Sequence, residues 1–178
     1  MAVTFEDVVK AREAIRSSTI LTPTVKAVRL SLHMGISLYL KLENLQHTCA
    51  FKARGALNKL LTLTEEQKQR GVIACSAGNH AQGVAYHATR LEIPSIIVMP
   101  NLTPFNKIKK TEDFGAKVML YGNSFDESVG ETMRLAQEKG MTFIHPFDDE
   151  AVVAGQGTLG LEMLEQRPDL DVVVVPIG

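Results

Sequence analysis

Val72-Ile73-Ala74-Cys75-Ser76-Ala77-Gly78-Asn79-His80-Ala81-Gln82-Gly83 is the stretch from which the fold is read. Four apolar residues make a short strand, a loop of small residues follows, and a helix is expected from about His80 to Arg90. A strand without polar alternation is buried on both faces, the condition of a parallel sheet between two helical layers. A loop at the carboxyl end of such a strand is where open α/β sheets hold their ligands.

Toward the C-terminus the same unit repeats. Ser95–Met99 reads as a strand closed by Pro100, and about Pro104–Phe114 as a helix stopped by Gly115. Lys117–Tyr121 is the next strand, Ser124–Lys139 a helix ended by Gly140, Thr142–Ile144 a strand, and Ala151–Gln166 a helix. Asp171–Pro176 reads as a fully buried strand. Toward the N-terminus, Phe5–Ser17 has helical periodicity, Thr22-Pro23-Thr24 breaks it, and Ser37–Leu42 alternates as a strand does. A further helix is expected over Phe51–Leu63, ended by Thr64. Strands alternating with helices give an α/β fold with parallel sheets and helices on both faces. A core strand running into Pro176-Ile177-Gly178 should feed another loop and helix, so a continuation past Gly178 is expected, with an edge strand at a true terminus as the alternative.

Composition narrows the function classes. The chain of 178 residues is 45% hydrophobic and 22% charged, values of a soluble globular protein. Nineteen basic against twenty acidic residues leave a charge of −1, which gives nucleic acid or an anionic membrane no electrostatic footing as partner. Lys107, Lys109 and Lys110 read as a solvated helix face. No apolar run approaches the roughly 20 residues that span a bilayer, and the charged N-terminus is unlike a signal peptide. Cys49 and Cys75 read as free thiols of a reducing compartment, so a cytoplasmic location is expected. His33, His47, His87 and His145 are scattered, and no metal site is expected.

Two segments carry chemistry. Ser76–Gly83 offers unobstructed backbone N–H groups and a helix N-terminus, a seat for a carboxylate or phosphate; a plain capped turn is the competing reading. It is neither G-x-G-x-x-G nor a P-loop, so dinucleotide or ATP binding has no support. In Thr48-Cys49-Ala50-Phe51-Lys52-Ala53-Arg54-Gly55-Ala56, Lys52 sits where a loop enters a helix, and partial burial there would lower its pKa and free the amine as a nucleophile. A surface lysine remains open on spacing alone.

Together these segments resemble those of fold-type II pyridoxal-phosphate enzymes, specifically the threonine/serine dehydratase (threonine ammonia-lyase) family. Lys41-Leu42-Glu43-Asn44-Leu45-Gln46 leads to Phe51-Lys52-Ala53-Arg54-Gly55-Ala56, as the family's K-x-E-N-x-Q leads to its cofactor lysine and x-R-G-A. Ser76–Gly83 is similar at every position to the family's substrate loop. Gly155-Gln156-Gly157-Thr158, Gly160, Glu162 and Val174-Val175-Pro176-Ile177-Gly178 extend the resemblance along the chain.

The resemblance implies that Lys52 forms the imine with pyridoxal 5′-phosphate and then acts as the base at Cα. It implies Phe51 against one face of the cofactor ring and Asn79 on its 3′-oxygen. Ser76, Ala77, Gly78, Asn79 and His80 would hold the substrate carboxylate, and Gly178 would open the glycine-rich loop for the cofactor phosphate. Loss of ammonia from L-threonine or L-serine, giving 2-oxobutanoate or pyruvate, is the implied reaction. Serine racemase or hydroxyaspartate ammonia-lyase is the alternative, which Ala77 disfavours because racemising members carry a second serine there. Cys49-Ala50 replaces the family's glycine-serine, which bears on loop geometry. Two lobes are implied: residues 1–68 begin the large lobe, 69–150 form the small lobe, and 151–178 return to a large lobe incomplete in this chain. The 178 residues alone would then be inactive, or a binding module, while the full-length protein would be a homo-oligomer acting on a small amino acid.

Overall fold

Alternate residues of the central strands face two different cores, which is why their sequences lack polar positions. Val72 and Ala74, with Ile97 and Met99 of the next strand, pack with Ala81, Val84, Ala85 and Ala88; Ile73 and Val98 pack on the other face with Leu135. The computed structural model describes residues 2–176. Its elements are α1 (Phe5–Ile15), β1 (Thr24–Lys26), α2 (Val28–Met34), β2 (Tyr39–Lys41), a 3₁₀ turn at Glu43–Leu45, α3 (Lys52–Leu61), α4 (Glu65–Arg70), β3 (Val72–Cys75), α5 (Asn79–Arg90), β4 (Ser95–Met99), α6 (Phe105–Asp113), β5 (Lys117–Leu120), α7 (Phe125–Lys139), β6 (Thr142–Phe143) and α8 (Glu150–Gln166). The main sheet has the order β5-β4-β3-β6, all pairs parallel. α5 covers one face and α7 the other, so the expected α/β architecture is present.

Helix ends follow local chemistry. Thr4 and Asp7 form a reciprocal cap on α1, Thr64 and Gln67 one on α4, and Asp149 accepts the Ala151 and Val152 N–H groups of α8. Gly140 closes α7 at φ +64°, a left-handed conformation costly for a residue with a Cβ. α3 is the hub of the remaining helices, packed between α5 and α8, with α1 against α8.

Three readings from the sequence change. Asp171–Pro176 is not a strand: it has no pairing partner among the described residues, and Val172 and Val174 are 75% and 89% exposed. An apolar run becomes a strand only beside a neighbour that takes its hydrogen bonds. The alternating segment 37–42 keeps only Tyr39–Lys41 as a strand, paired antiparallel with β1 in a separate two-stranded ribbon. Gly155 and Gly157 lie at helix-on-helix contacts: a Cβ on Gly155 would lie 2.7 Å from Gly55 Cα, and one on Gly157 would lie 2.9 Å from a Val8 methyl. Finally, α2 and α4 were not anticipated, although Thr64-x-x-Gln67 is a capping-box signature. Gly178 lies outside the described residues.

Candidate active site at the carboxyl ends of two parallel strands

β3 and β6 are neighbours, and both deliver their chains to the same edge of the sheet. From β3 comes the turn Ser76–Gly78 and then α5; from β6 comes the segment Ile144–Asp149 and then α8. Ser76 Oγ accepts the Gly78 N–H at 3.2 Å, folding the turn back on itself. Gly78 precedes Asn79, the first residue of α5, and no side chain caps the helix. The first N–H groups of α5 therefore lack the side-chain acceptors that α1, α7 and α8 have. A Cβ on Gly78 would meet nothing within 4 Å, so the turn borders open space. Asn79 is exposed, Ser76 and Ala77 are half-buried, and His80 is buried at the base.

Lys52 opens α3. A Cβ on Gly83 would lie 3.2 Å from the Ala53 backbone and 3.3 Å from the Lys52 carbonyl carbon, so α5 lies against the very start of α3. The Lys52 ε-amine donates to the Pro146 carbonyl at 2.8 Å. Nζ is 5.6 Å from the centre of the Phe51 ring. Burial lowers the Lys52 pKa from the usual lysine value, with no carboxylate contributing to hold the charge. Two residues before Pro146, the Ile144 carbonyl meets His80 Nε2 at 3.0 Å. The lysine and the turn are thus joined through one three-residue segment. Burial lowers His80 to about 4, and the charges of Lys52 and His145 act in the same direction against the Ile144 carbonyl.

Behind Lys52 lies a cluster that sequence reading missed as such. Arg54 is fully buried; Nε and Nη2 donate to Glu43 at 2.9 Å, and Nη1 and Nη2 to Glu162 at 2.7 and 2.9 Å. Lys41 adds a second cation on Glu162 at 2.6 Å, and Thr22 donates to Glu43 at 2.5 Å. Burial alone would lower the Arg54 pKa, but the bonds and charges of Glu43 and Glu162 outweigh it and raise it. Two cations and two anions with matched donors tie the 3₁₀ turn, α3 and α8 together. Lys41, Glu43 and Arg54 stand inside the quoted K-x-E-N-x-Q and R-G-A motifs and Glu162 among the further matches, and that was the only signal. A cavity of about 390 Å³ lies over this cluster, with Arg12, Ile15 and Glu165 in its wall and none of residues 51, 52 or 76–80.

The other polar readings resolve simply. Asp149 caps α8 and pairs with Lys59 at 2.6 Å. Cys75 is buried and Cys49 exposed, neither in a disulfide. Cys49 has φ +59°, a left-handed conformation that suits glycine better than a residue with a Cβ. Among the described residues no group of three His, Cys, Asp or Glu is placed to hold a metal, and no helix is long and apolar enough to cross a membrane.

The model of the pyridoxal-phosphate dependent enzyme family matches residues 15–178. The chain belongs to that family. It is 49% identical over 176 residues to an L-threonine ammonia-lyase of Thermotoga maritima, covering 99% of this chain and 44% of that protein. It is 47% identical over 177 residues to a catabolic L-threonine dehydratase of Staphylococcus aureus, covering 99% and 51%. Among solved structures, it is similar to the threonine deaminase isoform 2 of Solanum lycopersicum with a TM-score of 0.85 at 39% identity, covering 94% of this chain and 50% of that one. Maize serine racemase superposes with a TM-score of 0.92 at 33% identity, covering 96% and 52%. This pyridoxal-phosphate dependent enzyme chain spans about half the length of the curated relatives it matches. The donor set suits the family's cofactor: a half-buried amine of lowered pKa for its aldehyde, beside an uncapped helix N-terminus for an anionic group.

Proposed function

We propose that this chain supplies the lysine and the substrate-carboxylate cradle of an L-threonine/L-serine ammonia-lyase. The observation that carries the reading is the Lys52 amine, half-buried and held at 2.8 Å on the Pro146 carbonyl beside the Ser76–His80 turn. A lysine depressed by desolvation is unprotonated more often near neutral pH, which both imine formation and proton abstraction require. Pyridoxal phosphate supplies an electron sink that makes the substrate Cα proton removable. Lys52 would hold that group covalently and, once displaced from it by the substrate amine, would be free to take the Cα proton. Phe51 would lie against its ring, Asn79 would meet its 3′-oxygen, and a glycine-rich segment beginning at Gly178 would receive its phosphate. The N–H groups of Ser76–His80 and the Ser76 hydroxyl bind the substrate carboxylate, orienting Cα toward Lys52.

Ala77 favours elimination over racemisation, because a methyl group cannot exchange a proton on the opposite face of the substrate. The relatives named as threonine ammonia-lyase and dehydratase, 49% and 47% identical, support the same choice over the racemase likeness at 33%. Residues 1–68 and 151–178 are proposed to belong to a large lobe and 69–150 to a small one, in a cytoplasmic homo-oligomer. The test is a chain continued past Gly178 to the length of its relatives, incubated with pyridoxal phosphate and L-threonine. Ammonia and 2-oxobutanoate are expected in equal amounts; release of D-allothreonine without ammonia would overturn the reading.

A further inference from the structure

His80 has a side chain that the proposed reaction does not use. Its ring is 3% exposed, and Nδ1 has no hydrogen-bond partner among the described residues. A carbonyl oxygen only accepts, so the proton shared with Ile144 is on Nε2 and Nδ1 is a bare lone pair. Nothing in such a position binds the cradle's anion, which leaves the Ile144 contact as the ring's work.

That contact acts on a segment whose backbone is otherwise accounted for. Ile144 N–H donates to Ile73 O at 2.9 Å, extending the β6–β3 pairing by one residue. The Phe147 and Asp148 N–H groups donate to His145 Nδ1 at 3.2 and 2.7 Å. Asp149 then caps α8. Between these fixed points, Pro146 O receives the Lys52 amine, and Pro146 has no N–H through which it could be tied directly. The placement of the lysine's acceptor thus depends on Ile144, pinned by strand β3 on one side and by His80 on the other.

We propose that His80 is a positioning residue for Lys52, holding the Ile144–Pro146 segment so that the Pro146 carbonyl keeps the free lysine amine at the edge of the Ser76–His80 turn. The effect is indirect, through two backbone carbonyls two residues apart. It rests on Lys52 being the cofactor lysine only for its consequence in catalysis. The charged and titratable groups facing His80 are Lys52 and His145, and burial keeps the imidazole neutral across the range in which the lysine works.

The test reads the lysine without any cofactor. Lysines of the 178-residue chain are dimethylated with ¹³C-formaldehyde and titrated by NMR in the wild type, His80→Leu and His80→Gln. Loss of the Nε2 donor should loosen the segment and admit water, removing the desolvation that depresses Lys52. The leucine variant is expected to move the Lys52 titration up by about half a pH unit or more, roughly a threefold fall in its neutral fraction. The glutamine variant keeps an N–H for Ile144 and should titrate with the wild type. If the leucine variant does not fold, His80→Asn, too short to reach Ile144, takes its place with the same expected shift. A wild-type titration in both variants, or equal shifts in leucine and glutamine variants, overturns the proposal. Borohydride trapping of pyridoxal phosphate on unmethylated samples of the same variants, in a chain continued past Gly178, separates the two readings. Shifts as expected with no label at Lys52 would sink the ammonia-lyase reading alone; label at Lys52 with unmoved titrations would sink the role of His80 alone.

Discussion

Lys52 Nζ and the carbonyl oxygen of Pro146, 94 positions apart in the chain, meet at 2.8 Å and join the first turn of α3 to the segment that leaves β6. The bond fixes where the amine sits before any aldehyde reaches it. It also explains how a half-buried turn at the end of β3 and a lysine from a distant helix come to share one edge of the sheet.

The Gly83 contact sets that approach. A Gly83→Val substitution puts a Cβ 3.2 Å from the Ala53 backbone and adds two methyl groups where α5 and α3 touch. Overpacking of this kind costs roughly 1–3 kcal/mol. The expected result is a lower urea midpoint together with weaker pyridoxyl labelling of Lys52, because the helix that carries the turn is pushed off the start of α3. Full stability with unchanged labelling would show the two helices to be more loosely coupled than the contact implies.

Arg54 should be among the most sensitive positions for stability. Arg54→Met removes the cation from between Glu43 and Glu162 and leaves their carboxylates buried with only Lys41 and Thr22 nearby. Breaking one side of a buried charge pair typically costs about 3–5 kcal/mol. Chemical denaturation at neutral pH checks it; a loss below about 1 kcal/mol would mean that water or rearrangement compensates the cluster.

How far the fold could be read in advance follows from where the constraint lies. β3 and β4 were legible because Val72–Cys75 and Ser95–Met99 are each squeezed between α5 and α7, and burial on both faces writes itself as unbroken apolar sequence. The valines of 172–175 have the same appearance but stand exposed, since composition states a preference for burial without naming a neighbour. At the site, Lys52 and Ser76–His80 were found through resemblance of side chains. The Pro146 acceptor is a backbone atom and has no letter of its own. Lys41, Glu43, Arg54 and Glu162 were visible as letters, yet charges read as surface until three elements are known to converge.

Acid should weaken the fold through its buried imidazoles. Burial lowers His80 to about 4 and His87 to about 3, against 6.5 for the ordinary side chain. The unfolded chain therefore binds more protons than the folded one as pH falls below about 6.5, so stability drops through that window toward the folded values. The differences, about two and a half units for His80 and about three and a half for His87, correspond to roughly 3–5 kcal/mol for each ring at most. Urea midpoints at about pH 7 and about pH 4.5 should differ in that direction, and His87→Leu should flatten the dependence. A midpoint that is constant or rises on acidification would contradict the neutral, buried state of both rings.

Cys49 holds φ +59°, a left-handed conformation that a glycine would adopt without strain. Cys49→Gly relieves a left-handed strain of roughly 1–2 kcal/mol and gives back part of it as chain entropy in the unfolded state. A net gain of about 0.5–1 kcal/mol in unfolding free energy is expected. A destabilised glycine variant would place the cost of the left-handed turn elsewhere.

The central claim is that Lys52 is the amine that takes the cofactor aldehyde. Borohydride reduction in the presence of pyridoxal phosphate, followed by digestion and mass mapping, tests it directly in a chain continued past Gly178. One pyridoxyl group on the peptide containing Lys52, absent in Lys52→Ala, is the predicted result. A label on another lysine, or none, would contradict the account.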